Sequence, residues 1–247
     1  MKKKYQRKHI GEVWQSNEGY KLEIVDGGSK PYYCIVRIAD RYEVEVNYRN
    51  VKEGRVKNLY HPSMFGKGYY GIGGHKTKVN GKNTAVYNQW RNILLRIYDH
   101  KEHERCPTYK DVKIVEEWHN FQVFADWYYK QPYHDRDGYV LDKDILSDEG
   151  NKIYSPDTCI FIPQALNNFM ANNLSNNTSG FVGVHYNRQR KKYIARINID
   201  GKQKSLGYYN VPEEASEAYK KAREEQAQKW KDKLKGMYSS KVLERII

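Results

Sequence analysis

Between Tyr20 and Tyr48 the chain alternates apolar and polar positions in three short runs, YKLEIV (Tyr20 to Val25), YYCIVRI (Tyr32 to Ile38) and YEVEVNY (Tyr42 to Tyr48). A period of two puts successive side chains on opposite faces of a strand. Gly27-Gly28 and Ala39-Asp40-Arg41 interrupt the runs, so a small antiparallel sheet is expected. At Val86 the period lengthens: Val86, Trp90, Ile93, Leu94 and Ile97 share one face of a helix that ends near the charged cluster DHKEHER. Trp118, Phe121, Phe124, Ala125 and Tyr128 repeat at the same spacing after a turn at Thr108, and are read as the core of a middle domain in preference to a platform for stacked bases. Leu166, Phe169 and Met170 make a short apolar stripe after Pro163, which suits a first helical turn.

Asn58 to Asn83 fits neither period. Six glycines fall there among aromatics and lysines, but a phosphate cradle needs GxxxxGK[ST] or GxGxxG between a strand and a helix, and neither spacing occurs. An irregular loop lying over nucleic acid or over the sheet is expected. Ala171 to Gly180, ANNLSNNTSG, is mostly Asn, Ser, Thr and Gly, the composition of a linker.

Beyond that boundary, FVGVHYNRQRKKYIARINIDGKQKSLGYYN reads as three short strands followed by a helix opened by Pro212, Glu213 and Glu214, with acids at its positive end. Tyr193, Ala195, Ile197 and Ile199 point to one face of the second strand, and Lys192, Ile194, Arg196 and Asn198 to the other. Asp200-Gly201 is a favoured hairpin turn. Ala215, Ala218, Tyr219 and Ala222 give the helix a flat face that seals one side of the sheet. The expected fold class is α+β: an N-terminal β domain (1–60), a Gly/Lys-rich loop and connecting helix (61–104), a middle domain (105–170), a linker (171–179) and a C-terminal sheet with one helix (180–247).

Composition narrows the partners. The 247 residues are long enough for several cores, and a formal charge of +13 calls for an acidic partner, with the excess concentrated after residue 180. No run approaches the roughly 20 apolar residues of a membrane span, so a membrane partner is not expected. Three isolated cysteines, Cys34, Cys106 and Cys159, point to a reducing cytoplasm and away from zinc. With 23 tyrosines, nucleic acid is favoured over a small-molecule substrate, although an AT-rich genome yields the same composition.

Two stretches carry resemblances. Gly183-Val184, Lys192 to Ala195, Leu206-Gly207-Tyr208-Tyr209 and Glu213-Glu214-Ala215 through Tyr219 resemble the APETALA/ethylene-response-factor DNA-binding domain, which also occurs appended to phage and bacterial homing endonucleases. The resemblance implies a sheet lying in the major groove of double-stranded DNA, with His185, Asn187, Arg188, Arg190, Lys192, Arg196, Asn198, Gln203 and Ser205 as its contacts. Val182 and His185 stand where the plant domains have arginines, so only the docking mode carries over.

Leu141 to Ile145, the loop Gly150-Asn151-Lys152 and Ser155-Pro156-Asp157-Thr158-Cys159 resemble the HNH (ββα-metal) nucleases: a strand ending in Asp-His, a loop with Asn, then a Pro-acid-Asn turn before a helix. In that family the histidine is general base and a divalent cation neutralises the scissile phosphate. This chain has Lys143 in place of the histidine and Thr158 in place of the helix-start ligand. His134 is the candidate substitute base, with Asp142, Lys143 and Asn151 as catalytic positions and Asp142 and Asp144 as ligands for Mg²⁺ or Mn²⁺. The resemblances imply a phage-encoded, sequence-specific protein in the bacterial cytoplasm that nicks DNA, or an inactive regulator, recombination accessory or inhibitor of host defence on the same scaffold. An RNA-binding protein using its tyrosines is the more remote alternative.

Overall fold

The computed structural model describes residues 8–148, 150, 152–171, 179–199 and 201–247. The chain is α+β and forms two compact units, Met1–Leu94 with His119–Val123, and Leu95–Trp118 with Phe124–Ile247.

In the first unit β1 (Val13–Gln15), β2 (Lys21–Gly27), β3 (Tyr33–Ile38) and β4 (Tyr42–Asn47) pair antiparallel in chain order. The alternation delivers the core: Leu22, Ile24, Val36 and Ile38 are buried together with Cys34, and Val51 of α1 (Tyr48–Lys52) and Val56 close over them. The edge strand β1 is three residues long, too short to show a period. Ala39 and Asp40 both take positive φ (49° and 55°) in the turn closed by the Arg41 N–H on the Ile38 carbonyl.

The glycine-rich segment is largely irregular, as expected of a loop, with short paired stretches inside it. Met64 bridges Gly68, and β5 (Lys78–Val79) pairs with β6 (Lys82–Asn83) about an Asn80-Gly81 turn with φ of 49° and 76°. Three of its glycines, Gly68, Gly71 and Gly73, serve close approach. A Cβ at Gly71 would strike the Asn120 side chain and one at Gly73 the Gln122 side chain. Gln122 accepts the His75 N–H at 2.9 Å and donates to the His75 carbonyl at 3.1 Å, holding the segment as a strand neighbour would. Helix α2 (Ala85–Tyr98) buries Val86, Trp90, Ile93 and Leu94 fully, as its period requires, and Phe121 packs edge-on against Tyr87 and Trp90.

In the second unit DHKEHER does not merely end α2. Asp99 accepts the Glu102 N–H and caps a further helix, α3 (His100–Arg105). The aromatic helix begins later than its period suggests. Glu116–His119 is a 3₁₀ turn, and α4 (Phe121–Lys130) starts only after Asn120, whose side chain accepts the Gln122 N–H. Trp118, Phe124, Ala125 and Tyr128 are all buried as core. Strand β8 (Tyr139–Asp142) pairs antiparallel with β10 (Ile160–Pro163), and α5 (Gln164–Met170) follows directly, giving a ββα order. Between them β9 (Ile153–Tyr154) pairs parallel with β7 (Lys113–Ile114), a contact between distant segments that no local pattern announces.

Strands β11 (Val184–Asn187), β12 (Lys192–Ile199) and β13 (Lys202–Tyr209) form the three-stranded antiparallel sheet, covered by α6 (Pro212–Leu234). Val184, Ala195 and Ala215 are its fully buried contact, with Tyr193, Leu206, Tyr209 and Tyr219 around them. The helix runs well past the sheet. Ala227, Trp230 and Leu234 enter a core with Ile145, Ile162, Leu166 and Phe169 on one side and Ile197 on the other, closed by Val242 of α7 (Ser240–Glu244) and Ile246. Residues before and after the 171–179 stretch therefore share one apolar cluster. Losing Trp230 alone is worth about 3–5 kcal/mol. Residues 172–178 lie outside the described part.

Candidate nucleic-acid interface

The β12 alternation is what separates two unlike faces. Tyr193, Ala195, Ile197 and Ile199 turn to α6 and its neighbours. Asn187 and His185 on β11, Lys192, Ile194, Arg196 and Asn198 on β12, and Gln203, Ser205 and Tyr208 on β13 lie opposite one another in register on the other face. His185, Lys192, Asn198, Gln203 and Ser205 are exposed and Arg196 is half-buried. Arg196 donates to the Gln203 side-chain oxygen at 3.3 Å, which presents a guanidinium and a carboxamide side by side.

Two departures from a regular ladder shape this face. A bulge sets Leu206 opposite the Ala195/Arg196 step, so Ser205 and Gly207 flank an extra residue and the sheet coils more tightly there. Ile194 is buried although it faces away from the helix. Its cross-strand partners are His185 and Tyr208, and the Arg190 guanidinium lies 4.5 Å from the Tyr208 ring centre, so the face has a small apolar centre ringed by cations.

The β11–β12 turn carries Arg188, Arg190 and Lys191, all exposed. Asn187 has a structural share in this turn, because its Oδ1 accepts the Arg190 N–H at 3.0 Å. Lys191 sits at φ 51°, in the left-handed conformation that reverses the chain. Of the residues between Phe181 and Val211, seven are Lys or Arg and one, Asp200, is acidic. Asp200 lies outside the described residues. Beside Asn198 and Gly201 opens a cleft of about 400 Å³ that is also lined by Gln164 and Asn168 of α5. Sequence reasoning missed these two carboxamides, since their nearness to the sheet follows from the shared core and leaves no local signal.

The HNH-like stretch is arranged differently from its expectation. Asp142 accepts the Asp144 and Ile145 N–H groups on one oxygen, at 3.0 and 2.8 Å, as a residue closing a turn does. Burial pushes its carboxyl above the ordinary range, only partly offset by those bonds. Lys143 is buried, ion-paired with Asp144 and 5.8 Å from the Tyr154 ring centre. His134 bonds the Gln131 carbonyl through Nδ1 at 2.8 Å and lies edge-on to Tyr128 and Tyr129. Asn151 lies outside the described residues. Thr158 is not at a helix start: it exchanges bonds with Ser155 and donates to the Ile153 carbonyl at 2.7 Å, closing the turn that leads into β10.

A cavity of about 500 Å³ beside Asp142 and Asp144 is lined also by Asn167 and Arg245, a mixed-charge wall. Among the described residues no three His, Cys, Asp or Glu side chains come together as metal ligands. With one oxygen of Asp142 on backbone amides and one of Asp144 on an ammonium, this pair by itself supplies few of the oxygens that Mg²⁺ or Mn²⁺ takes. No helix among the described residues is long and apolar enough to cross a membrane. No protein-family model matches the chain, and no curated protein or solved structure matches it.

Proposed function

We propose that this chain binds double-stranded DNA in a sequence-dependent manner through the open face of the β11–β13 sheet, and that the ββα segment serves as its mount and not as a nuclease. The observation that carries this reading is the two-sidedness of the sheet. One face is sealed by α6, and the other presents Arg196, Gln203, Asn198 and the Arg188–Lys192 turn with almost no acid nearby. A sheet of this width enters a major groove, arginine pairs bidentately with guanine, and asparagine or glutamine pairs with adenine. Flanking lysines neutralise phosphates without reading sequence. The three thiols are free, and burial raises Cys34 to about 11 and Cys159 to about 12, which suits unreactive cysteines in a reducing compartment such as the cytoplasm of a phage-infected bacterium.

The test is fluorescence anisotropy of a labelled duplex of about 30 bp across a salt series. About six neutralised phosphates give a slope of log affinity against log salt of roughly −5. A slope near zero overturns the proposal. Supercoiled plasmid incubated with the protein and Mg²⁺ or Mn²⁺ is expected to remain supercoiled, and metal-dependent nicking would restore the nuclease reading.

A further inference from the structure

Residues 54–94 contain seven lysines and arginines and not one aspartate or glutamate. With 30 acids in 247 residues, about five would fall in a stretch of that length by chance. We infer that the first compact unit carries a second duplex-DNA contact of its own, centred on the β5–β6 hairpin. This goes beyond the sheet reading and is argued from different residues.

Lys57, Lys67, Lys76, Lys78, Lys82 and Arg91 are exposed, and none forms an ion pair with a described residue. A solvated face normally intersperses its charges; this one does not. The hairpin is also held stiffly for an exposed element. The Thr84 N–H bonds the Thr77 carbonyl at 2.9 Å, the Thr84 hydroxyl lies 3.1 Å from the Lys76 carbonyl, and Asn83 donates to the Asn88 side chain at 3.2 Å. The Gln122 clasp on His75 fixes its base. Lys78 lies opposite Asn83 and Val79 opposite Lys82, so each face of the ribbon carries one lysine. A two-stranded ribbon fits a major groove, whose two walls are both phosphate, and cations on both faces of a narrow ribbon match that symmetry. The half-exposed Val79 supplies the apolar contact that a base edge or sugar accepts.

The experiment uses the full chain and a random-sequence duplex of about 30 bp. Lysine acetylation read by mass spectrometry is expected to show Lys78 and Lys82 protected on adding DNA, and Lys101 and Lys110 not. Lys78→Ala/Lys82→Ala is expected to flatten the salt slope by about 1.8, because each lost phosphate contact is worth about 0.9. Lys101→Ala/Lys110→Ala, with the same change in net charge, is the control. Equal slopes for the two double variants, or unprotected Lys78 and Lys82, would overturn the inference. Equal protection by polyglutamate at matched charge would also overturn it, since any polyanion would then serve. An Arg190→Ala/Arg196→Ala variant separates the two surfaces. If hairpin protection survives in it, the second contact stands whatever becomes of the sheet. If it loses all binding while the hairpin variant keeps the parent slope, the sheet stands and the second contact fails.

Discussion

Gly183 tests whether α6 truly seats on the sheet. It lies just before β11 at φ 72°, and a Cβ built there would overlap the Tyr219 ring on α6. Gly180 has nearly the same backbone, φ 79°, but open space around its Cβ position. Alanine in the left-handed conformation costs about 1–2 kcal/mol at either position, and both substitutions shrink the unfolded ensemble equally. These contributions cancel in the difference. What remains is overpacking against Tyr219, which is worth about 1–3 kcal/mol. At about 2–4 °C per kcal/mol for a unit of this size, Gly183→Ala should melt roughly 2–12 °C below Gly180→Ala in calorimetry. Tyr219→Ala makes room for the new methyl, so the double variant should recover about 1–2 kcal/mol relative to additivity. Equal melting of the two alanine variants, or strict additivity with Tyr219→Ala, would show that the helix does not rest where the structure puts it. The two-faced sheet would then lose its foundation.

Further outcomes follow from the interface and the altered HNH-like stretch. Arg196→Ala should weaken binding to a selected target by about 1–3 kcal/mol and relax one base position in a competition assay, whereas equal losses on target and random DNA would mean that it touches phosphate alone. Asp142 binds its proton more tightly folded than unfolded, so stability should decline as pH rises from about 4 through its raised value. Asp142→Asn keeps an acceptor for the Asp144 and Ile145 amides and should flatten that decline in a series of melts. A Mg²⁺-induced rise in melting temperature seen in the parent and absent from Asp142→Asn would refute the structural role given to this carboxylate. Lys143→His restores the histidine of the nuclease pattern, yet plasmid should stay intact with Mg²⁺ because Asp142 is already committed to the backbone amides of its turn. Nicking by that variant would refute the argument.

The β1–β4 and β11–β13 sheets were legible because each has one dry face, and a period of two records that directly, as in Leu22, Ile24, Val36 and Ile38. The face of α2 was legible for the same reason. The start of α4 was misplaced by three residues, since Asn120 breaks the helix through a hydrogen bond that periodicity ignores. The contacts that hold the glycine-rich segment were hidden, because they depend on Asn120 and Gln122 some fifty residues away. Ile194 obeyed the alternation yet is buried by cross-strand neighbours. At the site, the exposed cations could be read from the sequence. The commitment of Asp142 to backbone amides could not, because a turn-closing aspartate and a metal ligand look the same in one dimension.

Trp230 and Leu234 tie the far end of α6 to the segment before the 171–179 stretch. A polypeptide severed once within that stretch should therefore stay assembled, its two fragments held by the buried side chains they have in common, and should co-elute on a sizing column until denaturant parts them. The long helix acts as a splint: a load placed on the pleated surface is passed through the shared core to the β8–β10 hairpin.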